Sequence, residues 1–187
     1  MDAVLGVGIT GHIHLRRTTT RLVRQALADL LRASPKPLHG VSCLAPGPDQ
    51  TFIELIRELG GTYDVILPAR DYRDRVIRPR GRRHFDELLA GAAEVVPTEF
   101  AHDHPAAYAL ANNRLVERCR ELIAVWDGMA DDRPGSTAHA VALARRAGVP
   151  VIPLWPTGAE RLARPAAELG RARPQAADRL SVGIATR

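Results

Sequence analysis

Short continuous apolar runs alternate along this chain with longer segments in which apolar residues recur every three or four positions. The first pattern predicts buried strands, and the second predicts helices with one apolar face. Residues 3–8 form the first run. Over 18–33 the residues Leu22, Val23, Ala26, Leu27, Leu30 and Leu31 carry helical spacing, with Thr18 or Thr19 placed to cap the helix. Pro35 and Pro37 end it ahead of a second strand at 38–44. After the turn Ala45-Pro46-Gly47-Pro48, Asp49 is placed to cap a helix over 50–59, which Gly60-Gly61 closes. A third strand is predicted at 63–67, a polar arginine-rich loop at 70–83, a helix at 84–93 and a fourth strand at 94–97. Helix 105–120 puts Leu110, Leu115 and Val116 on its apolar side. A fifth strand at 122–126 and a helix at 136–147, stopped by Gly148, precede a last strand at 149–154. Pro150 and Pro153 place that strand at or near a sheet edge.

Strands separated by helices require crossover connections, so the expected fold class is α/β. It is a Rossmann-like open, mainly parallel sheet of about six strands with helices on both faces. This domain spans 1–156. The remainder, 157–187, is rich in Ala, Arg and Pro and is expected to be helical over 158–170 before fraying. Ligands bind such sheets beyond the carboxyl ends of the strands. The loops at 10–14, 43–49, 68–75, 98–104 and 127–137 therefore share one rim, and Asn112 and Asn113 lie on a helix bordering it.

With 187 residues the chain is long enough for one full hydrophobic core. The net charge is +5, and Lys36 is the only lysine, so arginine supplies nearly all the positive charge. That balance suits an anionic small ligand or nucleic acid. Only 4% of the residues are aromatic, which offers few stacking platforms and ranks nucleic acid second. No apolar stretch is long enough to cross a membrane. The first residues show neither a basic lead nor a cleavage pattern, so a cytoplasmic location is expected. Cys43 and Cys119 lack metal-ligand spacing and are expected to be reduced, small buried residues. Neither a metal nor a resident cofactor is expected.

Two small-residue segments are predicted to lie between a strand and a helix: Gly6-Val7-Gly8-Ile9-Thr10-Gly11-His12 and Gly135-Ser136-Thr137-Ala138. Each would leave backbone N–H groups open at a helix N-terminus, where the helix dipole favours an anion. Together they point to a phosphate-bearing ligand held by Gly8, Thr10, Gly11, Gly135, Ser136 and Thr137. A tight turn, and capping by Ser136 and Thr137, are the plainer accounts of the same residues. Asp127 ends the fifth strand where a ribose hydroxyl would bind, or else opens an Asp-Gly turn. Asp49 reaches the same rim, or only caps its helix. His12 and His139 stand beside the two segments. His12 and His14 have a spacing that suits metal ligands, but no third ligand lies nearby. Arg70 and Arg73 sit closest to the rim within the arginine-rich stretch and are expected to contact phosphate.

Several of these segments resemble a bacterial Rossmann-like superfamily that unites DNA-processing protein DprA with the LOG "lysine decarboxylase-like" phosphoribohydrolases (SLOG). The matching residues are Gly8-Ile9-Thr10-Gly11-His12, Ser42 through Asp49, Val65-Ile66-Leu67-Pro68 with Tyr72-Arg73, and Val125-Trp126-Asp127-Gly128. Gly135-Ser136-Thr137-Ala138, Ala142, Ala144-Arg145 and Gly148-Val149-Pro150-Val151 complete the set. The resemblance covers roughly the first 155 residues. It implies nucleotide or nucleotide-derived ligands and frequent homodimers. LOG enzymes release a base from a nucleoside monophosphate, using a glutamate three residues after the threonine of their Gly-Gly-x-Gly-Thr turn. That position is Ala140 here, and the same gap counts against nucleoside deoxyribosyltransferase chemistry. DprA-like and sensor relatives carry Thr-Ala, as Thr137-Ala138 does. Relatives commonly read Gly-His-Arg at the first segment, whereas Gly11-His12 is followed by Ile13-His14. The expectation is a nucleotide sensor or binding protein. The alternative is an N-glycosidic hydrolase with Asp127, Asp49 or Glu99 as its carboxylate, and a weaker one is DprA-like DNA binding.

Overall fold

Period-two alternation in the strands sends side chains into two apolar layers, one on each face of a single sheet. A computed structural model describes residues 5–162. On one face Val7, Ile9, Val65, Ile123 and Val125 pack with Leu27, Phe52, Ile56 and Phe85 from helices. On the other, Val41, Ile66 and Leu122 pack with Ala111, Leu115, Ala140 and Ala144. The strands are β1 (Gly6–Gly11), β2 (His39–Ser42), β3 (Thr62–Leu67), β4 (Glu94–Pro97), β5 (Cys119–Val125) and β6 (Val151–Pro153). The helices are α1 (Arg17–Ala33), α2 (Pro48–Glu58), α3 (Tyr72–Val76), α4 (Arg82–Ala90), α5 (Pro105–Glu117) and α6 (Thr137–Arg146). All strand pairs are parallel, in the order β4-β3-β2-β1-β5-β6. The α/β, Rossmann-like sheet is the one expected, with β6 on its edge.

The strand order reverses between β1 and β5, which opens a crevice beyond their carboxyl ends. Close approach on this pair requires glycine. A Cβ added to Gly8 would overlap the Cys119 Sγ, and one on Gly11 would press on Pro48 and Val125.

The main departures from expectation have local causes. Gly8, Thr10 and Gly11 belong to β1 itself rather than to a turn, because β5 pairs with every residue from Gly6 to Gly11. Neither Thr18 nor Thr19 caps α1. Arg16 holds the cap position without a side-chain bond, and Thr19 is buried, its hydroxyl donating to Glu160 O at 2.9 Å. Asp49 is not a cap either: Gly47 takes that place at φ 99°, and Asp49 lies inside the first turn of α2. The 70–83 stretch holds α3 and a single 3-10 turn, Pro79–Gly81, tied by Arg73 to Asp86. Helix α5 stops at Glu117, so β5 begins three residues earlier than predicted, at Cys119. Residues 158–162 do not start the expected helix. They turn back and bridge Leu15 through Arg161, with Leu162 N donating to His14 O at 2.8 Å. The rest of that predicted helix lies outside the described residues.

Gly8→Ala should destabilise the fold by about 1–3 kcal/mol through overpacking, read as a lower urea midpoint. Cys119→Ala in the same chain should recover part of the loss, since it removes the overlapping sulfur. An unchanged midpoint for Gly8→Ala would contradict the β1–β5 packing.

Candidate functional site

The floor of the crevice is built where β1 and β5 end. The His12 amide donates to Val125 O at 3.1 Å, continuing the strand pairing one step past β1. Its ring Nε2 lies 3.0 Å from Asp127 Oδ1. The Met129 amide donates to that same oxygen at 3.1 Å, and Gly128 turns at φ 83°, so Asp127 serves both the rim and an Asp-Gly turn. Arg161 Nη1 stands 3.2 Å from Asp127 Oδ2 and 3.2 Å from His12 Nε2. An ionised carboxylate can only accept and a guanidinium can only donate, and the His12 bond to Asp127 is the shorter of the two contacts at Nε2. We therefore assign the His12 proton to Nε2, donating to Asp127, with Arg161 donating to the free carboxylate oxygen. Burial is the main influence on His12 and holds its pKa below the ordinary value despite Asp127. Burial pushes Asp127 upward, but the His12 and Met129 hydrogen bonds and the Arg161 charge outweigh it and hold its pKa low.

The second wall is the N-terminus of α6. Gly135 has φ 82°, and a side chain there would overlap Tyr108 Cβ, so both backbone and space demand glycine. Ser136 caps the helix: its Oγ accepts from the His139 amide at 3.1 Å and donates to Asp131 O at 3.0 Å. His139 turns inward. Its Nδ1 accepts from the Gly135 amide and Asn112 Nδ2, each at 3.3 Å, and burial lowers its pKa. The Gly135 amide is therefore not open to a ligand. The amides of Thr137 and Ala138, in the first turn of α6, have no hydrogen-bond partner among the described residues.

Between these walls lies an open cleft of about 860 Å³, lined by His12, His14, Tyr108 and Thr137 and by the charged residues Arg75, Asp103, Asp131, Arg133 and Arg161. Each arginine has an aspartate. Arg75 Nε meets Asp103 Oδ1 at 3.0 Å, Arg133 grips Asp131 with two nitrogens, and Arg161 meets Asp127. Arg75 keeps both terminal nitrogens outside that pair. A smaller pocket of about 190 Å³ adjoins the cleft, sharing Gly11, Ile13, Tyr108, Gly135 and Thr137 with it. Asp49 lines this inner pocket at 4% exposure. Its Oδ2 accepts from Ser42 Oγ at 3.1 Å and from the Ala45 amide at 3.4 Å, and the Leu44 amide donates in turn to Ser42 Oγ at 3.0 Å. This chain of bonds holds Leu44 at φ 53°. Burial raises the Asp49 pKa to about 7, against the hydrogen bonds from Ser42, Ala45 and Cys43 that favour the ionised form.

Of the residues singled out in the sequence, Gly11, His12, Gly135, Ser136 and Thr137 line the cleft, and Thr10, Gly11, Asp49, Gly135 and Thr137 line the inner pocket. Asp127 supports the floor through His12. Gly8 is packed against Cys119 instead. Arg70 is not among the lining residues, and Arg73 is fully engaged with Asp86 and Asp74. Glu99 pairs with Arg114 at 3.0 Å outside the cleft. Ala140 is buried in the apolar layer with Leu115 and Leu122. Cys43 and Cys119 are free thiols. Among the described residues no group of three His, Cys, Asp or Glu is placed to hold a metal ion, and no helix is long and apolar enough to cross a membrane. Arg75, Asp131, Arg133 and Arg161 were missed. The first three lie on loops already assigned to the rim, and Arg161 lies beyond the expected domain end.

A fold with its crevice at this switch point has known counterparts. The chain shares the fold of DNA processing protein A. It superposes on that protein from Streptococcus pneumoniae with TM-score 0.62 and 18% identity over 83% of this chain, and spans about half (52%) of the pneumococcal protein's length. For DNA processing protein A from Helicobacter pylori, solved to show its single-stranded DNA binding mode, the TM-score is 0.61. The identity there is 17%, over 86% of this chain and 69% of that one. The molybdenum cofactor binding protein of Rippkaea orientalis aligns with TM-score 0.55 and 18% identity over 82% of this chain and 77% of its own. No family model matches the sequence, and no curated protein does.

The buried Asp49 carboxyl makes a specific demand on stability. Its folded pKa near 7 exceeds the ordinary aspartate value of 3.8. The native state therefore binds more protons than the unfolded state between those limits, and stability falls as pH rises from about 4 to about 7. The loss approaches about 4 kcal/mol, at roughly 1.4 kcal/mol per pH unit. Asp49→Asn should flatten this part of a urea-denaturation pH profile. An equal slope in the variant would place the titration elsewhere.

Proposed function

We propose that the protein binds a nucleotide or nucleotide-derived ligand through its phosphate, at the carboxyl ends of β1 and β5, as a binding or sensor protein. The observation that carries this reading is the pair of amides at Thr137 and Ala138, unpartnered among the described residues, at the N-terminus of α6, whose Gly135, Ser136 and Thr137 line the cleft. Arg75 lines the same cleft with two terminal nitrogens that Asp103 does not engage, donors of the kind that suit phosphate oxygens. The cleft exceeds the roughly 300 Å³ at which pockets for whole small ligands begin.

Binding without turnover is favoured over base release. In the hydrolases that the sequence resembles, the position of Ala140 carries a glutamate; here that position is packed among Ala111, Leu115 and Leu122. At the rim Asp103, Asp127 and Asp131 are each paired with an arginine or a histidine, and Asp49 is held by Ser42 and the Ala45 amide. DNA binding, the property named for the Helicobacter protein, has less support, because the cleft arginines are neutralised one by one by aspartates.

Isothermal titration with AMP, GMP, ADP-ribose and a single-stranded oligonucleotide tests this reading, with each mixture assayed for free base. At least one mononucleotide should bind at micromolar concentration, more tightly than the oligonucleotide per site, and release no base. Arg75→Ala should weaken that binding about tenfold or more, since charge-assisted hydrogen bonds contribute about 1.5–3 kcal/mol, while leaving the melting temperature within about 2 °C. Released base would establish the hydrolase instead, and the absence of any nucleotide binding would contradict the reading.

A further inference from the structure

The inner pocket holds polar groups that the fold does not use. Thr10 and Thr137 are only 9% and 8% exposed, and both line this pocket. Neither hydroxyl has a hydrogen-bond partner among the described residues, and neither is a fully buried orphan, so both stand open to the space of the pocket. Asp49 brings a carboxyl to the same space, and Asn112 lies beside it with its amide on His139 and Ser136 O. The other walls are apolar or aromatic, including Ile9, Ala111, Leu115 and Tyr72. An apolar cavity lining with a few convergent polar groups suits a ring that is apolar on its faces and polar at its edge.

We propose that the inner pocket is the subsite for a planar nitrogen heterocycle, the base of the ligand. Thr10, Thr137 and Asp49 would read the N–H and ring-nitrogen edge of that base while the phosphate stays in the outer cleft. This rests on the nucleotide reading above and adds the part of the ligand that sets specificity. At about 190 Å³ the pocket falls below the roughly 300 Å³ of sites for whole ligands, so it takes a ring and leaves the sugar and phosphate outside. Thr137 lines both compartments, so the two adjoin at the N-terminus of α6. A carboxyl accepts from an amino or imino N–H when ionised and donates when neutral. Burial brings the Asp49 transition to about pH 7, so both forms are accessible to it there.

The test uses the full chain and three probes: AMP, GMP and ribose 5-phosphate. At least one nucleotide should bind ten times or more tightly than ribose 5-phosphate. Thr10→Val, which keeps the side-chain shape, should bring the nucleotide affinity down toward that of ribose 5-phosphate and leave the latter unchanged. Equal affinity for nucleotide and ribose 5-phosphate, or undiminished nucleotide affinity in Thr10→Val, would overturn the base subsite while leaving the phosphate site standing. Failure of all three probes to bind would overturn the nucleotide reading itself.

Discussion

The pairing of β1 with β5 is the contact on which the remaining geometry depends. It joins the two halves of the sheet at the point where strand order reverses, over the six pairs from Gly6↔Cys119 to Gly11↔Val125. Glycines at Gly8 and Gly11 permit the close approach. The same register carries His12 and Asp127 to within one hydrogen bond of each other. A slip of one residue would separate them and turn every β1 side chain to the opposite apolar layer. The position of the cleft floor is therefore a consequence of core packing.

Charge in the cleft is arranged more tightly than the composition suggests. A net charge of +5 carried by arginine invites the picture of a basic surface, yet each cleft arginine meets an aspartate. Such pairs fix the guanidinium planes at little net stability, since exposed ion pairs contribute about 0–1 kcal/mol. What remains to attract an anion is directional: two helix amides and the open nitrogens of Arg75. Directed donors of this kind favour one phosphate in one place over a long polyanion. Residues 158–162 belong to this arrangement, because Arg161 completes the Asp127 environment from beyond β6.

Hydrophobic spacing and proline and glycine punctuation made the fold readable from sequence, down to the edge position of β6. The α6 wall was readable too, because Gly135-Ser136-Thr137 combines a glycine-only turn with a capping serine. The glycines of β1 misled: Gly8 and Gly11 meet steric needs between strands, and sequence spacing does not separate those from the needs of a turn. Asp49 looked like a cap because its position relative to the turn is that of one. Its carboxyl instead closes the Ser42–Ala45 loop, a tertiary contact with no local signature. Choosing Arg75 over Arg73 required knowing that Asp86 lies one turn into α4 and takes up Arg73. Arg161 was invisible for a different reason, since contacts of residues 160–162 with His14, Leu15 and Thr19, distant in sequence, return it to the site.

A ¹⁵N–¹H NMR titration of the protein with AMP addresses the phosphate position most directly. The largest amide shifts should fall on Thr137 and Ala138, with smaller ones at His12 and none across α4. Saturable binding that leaves Thr137 and Ala138 unmoved, or that moves the arginine-bearing first turn of α4 most, would contradict a phosphate seated at the N-terminus of α6.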